Sequence, residues 1–373
     1  MLKICIVKQT SCYDLFTKTG PNLIDIVNSS NWRSGPIGLW DLADCHVVIV
    51  NATTDRECTT GKKLWGKYVT NWTIWPEGGK AENVEAVDWS LYDIVIAIDV
   101  AVPTRIIRQF RTVLWCYYFI EGGPTGIDTI FRGSPFYGYN VFLNHRPAKF
   151  RLSRNSAQYM SMVRTKRAVL DFPYYIQSST TIQNLYKHES ITRNSCIFFS
   201  HHSYSVLQQS HRVRISRYGT ILDSYKSISD IHKLELRSKY FIVHPDSKPC
   251  AGLALVEAIS AGCLALSPRD KLWGFPELID AALDYSDFNQ LLSILDRLES
   301  DLCLYDKALR QQKAKVDTWF FELPFDNLVL ILEAFKRSNC SPLKQKIFEF
   351  ISAITGQILR IAAGIARRIL IAQ

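Results

Sequence analysis

The chain has 373 residues, 47% of them hydrophobic and 21% charged, with a formal net charge of +9. That length suits two domains of ordinary size, each with its own core, and the composition excludes wholesale disorder. The excess of cations favours an anionic partner (a phosphorylated small molecule, nucleic acid or an acidic membrane face), but the Lys and Arg are scattered, so charge alone does not choose among them.

Apolar runs open the chain. Residues 2–8, 46–51, 93–99, 112–119 and 139–144 read as strands rich in Val, Ile and aromatics, and their continuous apolar character predicts a parallel sheet covered on both faces. Pro103 opens a helix directly after the third of these runs, which sets a βαβ rhythm. Residues 146–194 are more polar and less periodic and read as a stretch that could link two domains. A second α/β series follows, with strands at 195–203, 219–225, 239–245 and 263–268 and a helix near 251–261, and the pattern is helical from Asp287 to about residue 338.

From Ser341 onward the chain carries Lys344, Lys346, Arg360, Arg367 and Arg368 against the single acid Glu349, and eight isoleucines and phenylalanines from Ile347 to Ile369 recur at helical spacing. A basic amphipathic helix of this kind lies on an anionic bilayer surface or docks on protein. There is no run of about 18 uncharged apolar residues, so no membrane span is expected. Ten cysteines without C-x-x-C pairs or zinc spacing, several of them inside apolar strands, point to a reducing, cytoplasmic setting. Met1 leads into a strand rather than a signal segment, and the sequons at Asn28, Asn51, Asn71 and Asn339 are then chance matches.

Several catalytic signatures are missing. Gly61 to Lys67 matches a phosphate-binding P-loop up to its lysine, but Tyr68 stands where a Ser or Thr should hold magnesium. No G-x-G-x-x-G, G-x-S-x-G or Asp-x-Asp occurs, and His201, His202 and His211 lack metal-ligand spacing. No metal site and no resident cofactor are expected.

The stretch 247–270, SKPCAGLALVEAISAGCLALSPRD, is different: small residues crowd a turn, and one acid, Glu257, sits in an apolar helix. In an open α/β sheet, ligands bind outside the carboxyl ends of the strands. Free amides where the helix starts, around Ala251, Gly252 and Leu253, favour phosphate, and Gly252 lets it approach closely. Helical side chains lean toward the N-terminus, so the Glu257 carboxylate would hang beside that phosphate and could accept from two adjacent hydroxyls, as a ribose offers. Alternatively it is a helix acid that pairs on a partly exposed face.

This stretch resembles the donor-binding motif of GT-B-fold glycosyltransferases, in which a Gly-containing turn runs into a helix bearing a glutamate. Ser260-Ala261-Gly262 resembles the "AxG" turn, Gly274-Phe275-Pro276-Glu277-Leu278-Ile279 is similar to the "GG-x-PE-x-I" loop, and residues from Ser238 to Asp270 also resemble exostosin-like and fucosyltransferase-like members. The resemblance covers residues 195–335 and rests on α/β rhythm alone before that. It implies two Rossmann-like domains facing across a cleft: an acceptor domain at 1–170 and a donor domain at 171–335, followed by a basic amphipathic helical tail at 336–373. Retaining members often carry a second glutamate eight residues before the first, where this chain has Pro249, so the stereochemistry stays open. The family's usual phosphate clamp is also unmatched, and His202, Lys248, Arg212 or Arg214 would compensate the pyrophosphate. Glu277 either binds donor or caps the helix after Pro276.

An inverting transfer needs a base at the acceptor hydroxyl. The candidates stand at strand ends in the first half: Asp99, Glu121 beside Gly122 and Gly123, and His145. Residues 33–41 and Asn22 are candidate cleft residues for the acceptor. The resemblance thus implies metal-independent transfer from a nucleotide-sugar donor to a glycan or lipid-linked acceptor, without nucleic acid, in the cytoplasm or at the inner face of a membrane. A sugar-nucleotide epimerase of the same fold and a non-catalytic carbohydrate-binding subunit are the alternatives.

Overall fold

The computed structural model describes residues 1–9, 43–50, 72–75, 79–81, 84–98, 101–119, 136–173, 193–199, 213–222, 234–247, 249, 253–272 and 274–338. The first sheet is built from β1 (Lys3–Gln9), β2 (Asp44–Val50), β3 (Trp72–Trp75), β4 (Gly79–Ala81), β5 (Ile94–Ile98), β6 (Leu114–Phe119), β7 (Val141–Asn144) and β8 (Ala168–Asp171). Its order is β4-β3-β2-β1-β5-β6-β7-β8, parallel from β2 through β8. β3 pairs antiparallel with β2, and β4 with β3.

The continuous apolar runs have the expected cause. Successive strand residues feed opposite cores: Ile4, Ile6, Ile94, Ile96, Leu114 and Cys116 on one face, Cys5, Val7, Val95, Ala97, Trp115 and Tyr117 on the other. Helix α1 (Thr104–Gln109) covers the second face through Ile106 and Ile107, and α2 (Ala157–Thr165) covers the first through Tyr159 and Met162. Two elements differ from expectation. The β3–β4 hairpin brings antiparallel pairing to one edge, and part of the stretch read as a linker forms α2 and β8. Strand β8 is short and half-exposed, which leaves it only two buried side chains, Ala168 and Leu170, as a signal.

The second sheet has β9 (Ser195–Phe199), β10 (Thr220–Leu222), β11 (Ser238–Val243) and β12 (Leu264–Leu266), all parallel, in the order β10-β9-β11-β12. Helix α3 (Leu253–Ala261) connects β11 to β12. It ends in a Schellman arrangement: Cys263 N donates to Ala258 O at 2.8 Å and Gly262 N to Ile259 O at 2.9 Å, with Gly262 at φ +98°. The "AxG" glycine is thus a helix cap, and a Cβ there would also meet the Arg193 guanidinium, which donates to Ala261 O and to Ser238 O.

Three further helices follow: α4 (Phe288–Ser300), capped by the Asp287 carboxylate, α5 (Leu302–Val316), capped by Asp301, and α6 (Leu323–Ser338), joined to α5 through a π-helical stretch at Asp317–Glu322. Helix α6 lies against α2 and β8 of the first sheet. The buried Asn327 side chain accepts from Leu152 N at 2.7 Å and donates to Phe150 O at 3.1 Å, and Lys336 pairs with Asp93 at 2.7 Å. Among the described residues no helix is long and apolar enough to cross a membrane. The tail from Ser341 lies outside the described residues.

Candidate functional site

In the second sheet the strand ends converge on the segment between β11 and α3. Strand β11 is apolar and buried from Tyr240 to Val243, and the chain then turns sharply: Ser247 N donates to His244 O at 2.9 Å, and Asp246 N donates to His244 Nδ1 at 3.0 Å. This bond makes Nδ1 an acceptor and puts the proton of the neutral imidazole on Nε2. His244 and Ser247 are both buried, which fixes the turn that leads to the start of α3.

Glu257 sits one turn into α3, the only charged residue in LALVEAISA, and is 2% exposed. The partly exposed face that would suit a surface ion pair is therefore not where it lies. A carboxylate taken out of water in an apolar helix is costly and has to be met by donors or cations, so the position is a demanding one. Leu253 is the first residue of α3. Lys248, Ala251, Gly252, His202 and Arg212 lie outside the described residues.

Beside this segment is a cavity of about 320 Å³, lined by Pro245 after β11, by Pro268, Asp270 and Lys271 after β12, and by Asp284, Tyr285, Ser286 and Gln290. The Tyr285 hydroxyl, fully buried, lies 2.5 Å from Val243 O and 3.0 Å from Leu266 O, tying together the ends of the two strands that frame the cavity. Burial pushes its phenol pKa well up, so it stays a donor. None of these eight residues stood out in the sequence. The available signal was the strand-end rule applied to Pro245 and Pro268, which are the last residues of predicted strands.

Glu277 occupies a 3-10 turn, Pro276–Leu278, with no side-chain cap at its start. It does not cap a helix. Its carboxylate pairs with Lys149 at 2.6 Å, which holds its pKa below the usual carboxylate range, and its carbonyl accepts from Lys315 Nζ at 2.6 Å. Lys149 belongs to the segment after β7, so Glu277 joins the second sheet's loops to the first sheet's.

The three candidates for proton transfer follow neighbouring parallel strands. Asp99 follows β5, Glu121 lies just past β6, and His145 follows β7, while Ile98 pairs with Tyr118 and Phe119 with Asn144 across those strands. The strands that precede the three positions are parallel neighbours, and Asp99 and Glu121 themselves lie outside the described residues. His145 is half-buried with Nδ1 3.1 Å from the Tyr118 hydroxyl, and desolvation pushes its pKa down to about 4. It is neutral at pH 7 but a feeble base there. Asp171, at the end of β8 and paired in register with Asn144, has its pKa raised by desolvation, against the opposing pull of Arg146. It is a carboxylate at these strand ends that the sequence did not single out.

The depressed His145 pKa makes stability pH-dependent. Below its ordinary pKa the imidazole binds a proton in the unfolded chain while the folded state resists protonation down to about 4, so the contribution is present above pH 6.5 and is lost as pH falls. We expect about 2 kcal/mol of the difference between pH 7.5 and pH 5 to vanish in His145→Gln, measured by urea denaturation at both values. An unchanged pH slope in the variant would contradict this.

No family model matches the chain, and no curated protein matches it. Among solved structures, the chain is similar to Anabaena HepE in complex with UDP and glucose, at 11% identity and a TM-score of 0.39, over 88% of this chain and 98% of that one. It is similar to an α-glucosyltransferase in complex with UDP and mismatched DNA, at 11% identity and a TM-score of 0.46, over 89% and 99% of the two chains. A glycosyltransferase from Rickettsia africae is similar at 13% identity and a TM-score of 0.43, over 91% and 99%.

Proposed function

We propose that this protein is a glycosyltransferase that moves a sugar from a nucleoside-diphosphate sugar to a hydroxyl acceptor, a glycan or a lipid-linked saccharide. The buried Glu257 carboxylate carries this assignment: it is one turn into a helix that starts outside the carboxyl end of β11. Amides at that helix start take the pyrophosphate, and Glu257 accepts the ribose hydroxyls. The cavity between Pro245, Pro268 and Tyr285 is of a size for the nucleobase, with Asp284, Ser286 and Gln290 as its hydrogen-bonding groups. The acceptor hydroxyl is deprotonated from the edge formed by the ends of β5, β6, β7 and β8, by a group among Asp99, Glu121, His145 and Asp171.

Charge that develops on the departing nucleoside diphosphate is met by the helix amides together with Lys248, His202 or Arg212, so transfer needs no metal ion. Glu277, bonded to Lys149, sits where the loops of the two sheets meet and would report donor binding across them. The protein works in the cytoplasm, at the inner face of a membrane when its acceptor is lipid-linked.

The test is turnover. Purified protein is mixed with a panel of nucleoside-diphosphate sugars and acceptor saccharides, and release of nucleoside diphosphate is followed. Release that depends on both donor and acceptor is the expected result. Isomerised sugar without acceptor would instead mark an epimerase, and nucleotide binding without any release would mark a carbohydrate-binding subunit.

A further inference from the structure

The polar atoms around the cavity at the ends of β11 and β12 are arranged more particularly than a generic nucleobase needs. Its charged lining residues are Asp270, Lys271 and Asp284. Asp270 pairs with Lys271 at 3.2 Å, which leaves Asp284 as the charge in excess. The guanidinium of Arg269 is engaged elsewhere, its Nε donating to Pro276 O at 3.2 Å. Two carboxylates against one ammonium repel a phosphate, so the cavity suits an uncharged part of a ligand.

Two of the polar groups are held in place by the cavity wall itself. Asp284 Oδ1 accepts from Arg269 N at 2.9 Å, and that amide lies between the lining residues Pro268 and Asp270. It is the one hydrogen-bond donor to this carboxylate among the described residues, and a carboxylate has about four lone-pair sites to fill. Gln290 Oε1 accepts from Ser286 N at 2.8 Å and from the Ser286 hydroxyl at 3.2 Å. A backbone N–H can only donate, so the amide oxygen must face it. Nε2 meets no acceptor among the described residues and is left as a donor.

The other hydroxyls are committed. Ser286 gives its proton to Gln290, and Tyr285 gives its own to the carbonyls of Val243 and Leu266. Pro245 and Pro268, both buried, supply apolar surface against which a planar ring packs. The cavity therefore offers a carboxylate acceptor and an amide donor beside apolar walls.

Guanine answers this set better than the other common bases. Its N1–H and 2-amino group are adjacent, parallel donors that one carboxylate accepts together, and O6 on the same edge accepts from an amide. Adenine and cytosine bring a carboxylate one amino group beside a ring nitrogen whose lone pair opposes it. Uracil brings one N–H flanked by two carbonyl oxygens. We propose that this cavity selects guanine and that the donor is a guanosine-diphosphate sugar. The proposal rests on the assignment of the cavity to the nucleobase, and the experiment separates the two.

The full chain is titrated calorimetrically with guanosine, inosine, adenosine, cytidine and uridine diphosphates. Guanosine diphosphate is expected to bind at least about tenfold more tightly than any other. Inosine diphosphate keeps N1–H and O6 and lacks only the 2-amino group, so it isolates the second bond to Asp284. In Asp284→Asn the side-chain oxygen still serves Arg269 N, so the thermal midpoint should hold. Guanosine diphosphate should lose about tenfold in that variant and bind like inosine diphosphate. Gln290→Glu, on the first turn of α4, keeps the acceptor for Ser286 N and adds a charge favourable at a helix N-terminus. It sets a carboxylate against O6, should also weaken guanosine diphosphate about tenfold, and serves if Asp284→Asn folds poorly. Preference for another base, equal binding of guanosine and inosine diphosphates by the wild type, or undiminished affinity in both variants overturns the inference and leaves the donor-site assignment standing. Failure of every nucleoside diphosphate to bind overturns both.

Discussion

Glu257→Ala folds and loses the nucleotide. Alanine is the best helix former, so α3, which holds this residue at 2% exposure, keeps its helical propensity. On the proposed assignment, what is lost is an acceptor for two ribose hydroxyls. Hydrogen bonds to a charged group contribute about 1.5–3 kcal/mol each, which makes a drop of at least about 100-fold in affinity the expected result. Calorimetric titration with a panel of nucleoside diphosphates measures it, and thermal unfolding checks the fold. A sharper form uses the sugar itself. The wild type should bind a ribonucleoside diphosphate more tightly than its 2′-deoxy counterpart, and the variant should bind the two alike. If the variant still discriminates between them, the carboxylate is not on the ribose.

Much of the architecture was legible because its signals are local. A strand buried on both faces must be apolar at every buried position, and β5, β6, Ile4–Val7 of β1 and Val141–Leu143 of β7 are. A helix that ends on glycine and turns directly into a strand shows itself at Gly262, whose positive φ is what the small residue was for. Glu257 could be singled out because a lone acid in an apolar helix breaks the pattern. What stayed hidden depends on distant pairing. The cavity residues run from Pro245 to Gln290, and only the adjacent ends of β11 and β12 bring them together. Glu277 looked like a cap from its neighbour Pro276, but its partner, Lys149, lies 128 positions away. Nor does any local rule mark β8, with two buried residues, or the pairing direction of the four-residue β3.

Gln312 shows the same principle with a large consequence for stability. It lies on α5, 2% exposed, and its amide addresses one residue of β12: Oε1 accepts from Ala265 N at 2.9 Å, and Nε2 donates to Ala265 O at 2.8 Å. β12 ends the order of the second sheet, so its outer backbone groups would otherwise be buried under α5 without a strand beside them. The side-chain amide offers the same donor and acceptor pair as a neighbouring peptide unit. Gln312→Leu keeps the volume and removes both bonds, which leaves two buried backbone groups unsatisfied at about 1–3 kcal/mol each. We expect about 3–4 kcal/mol of destabilisation by urea denaturation, together with faster amide hydrogen exchange at Ala265. Gln312→Glu separates the two bonds. Its carboxylate can still accept from Ala265 N but stands against Ala265 O, so the variant should be poorly stable at pH 7 and should recover relative to wild type at low pH, where a protonated acid can donate again. A loss under about 0.5 kcal/mol in Gln312→Leu, with unchanged exchange at Ala265, would mean that the strand edge does not need the amide. The consequence reaches the site, because Pro268, Asp270 and Lys271, which wall the cavity, follow directly from the strand that Gln312 holds in place.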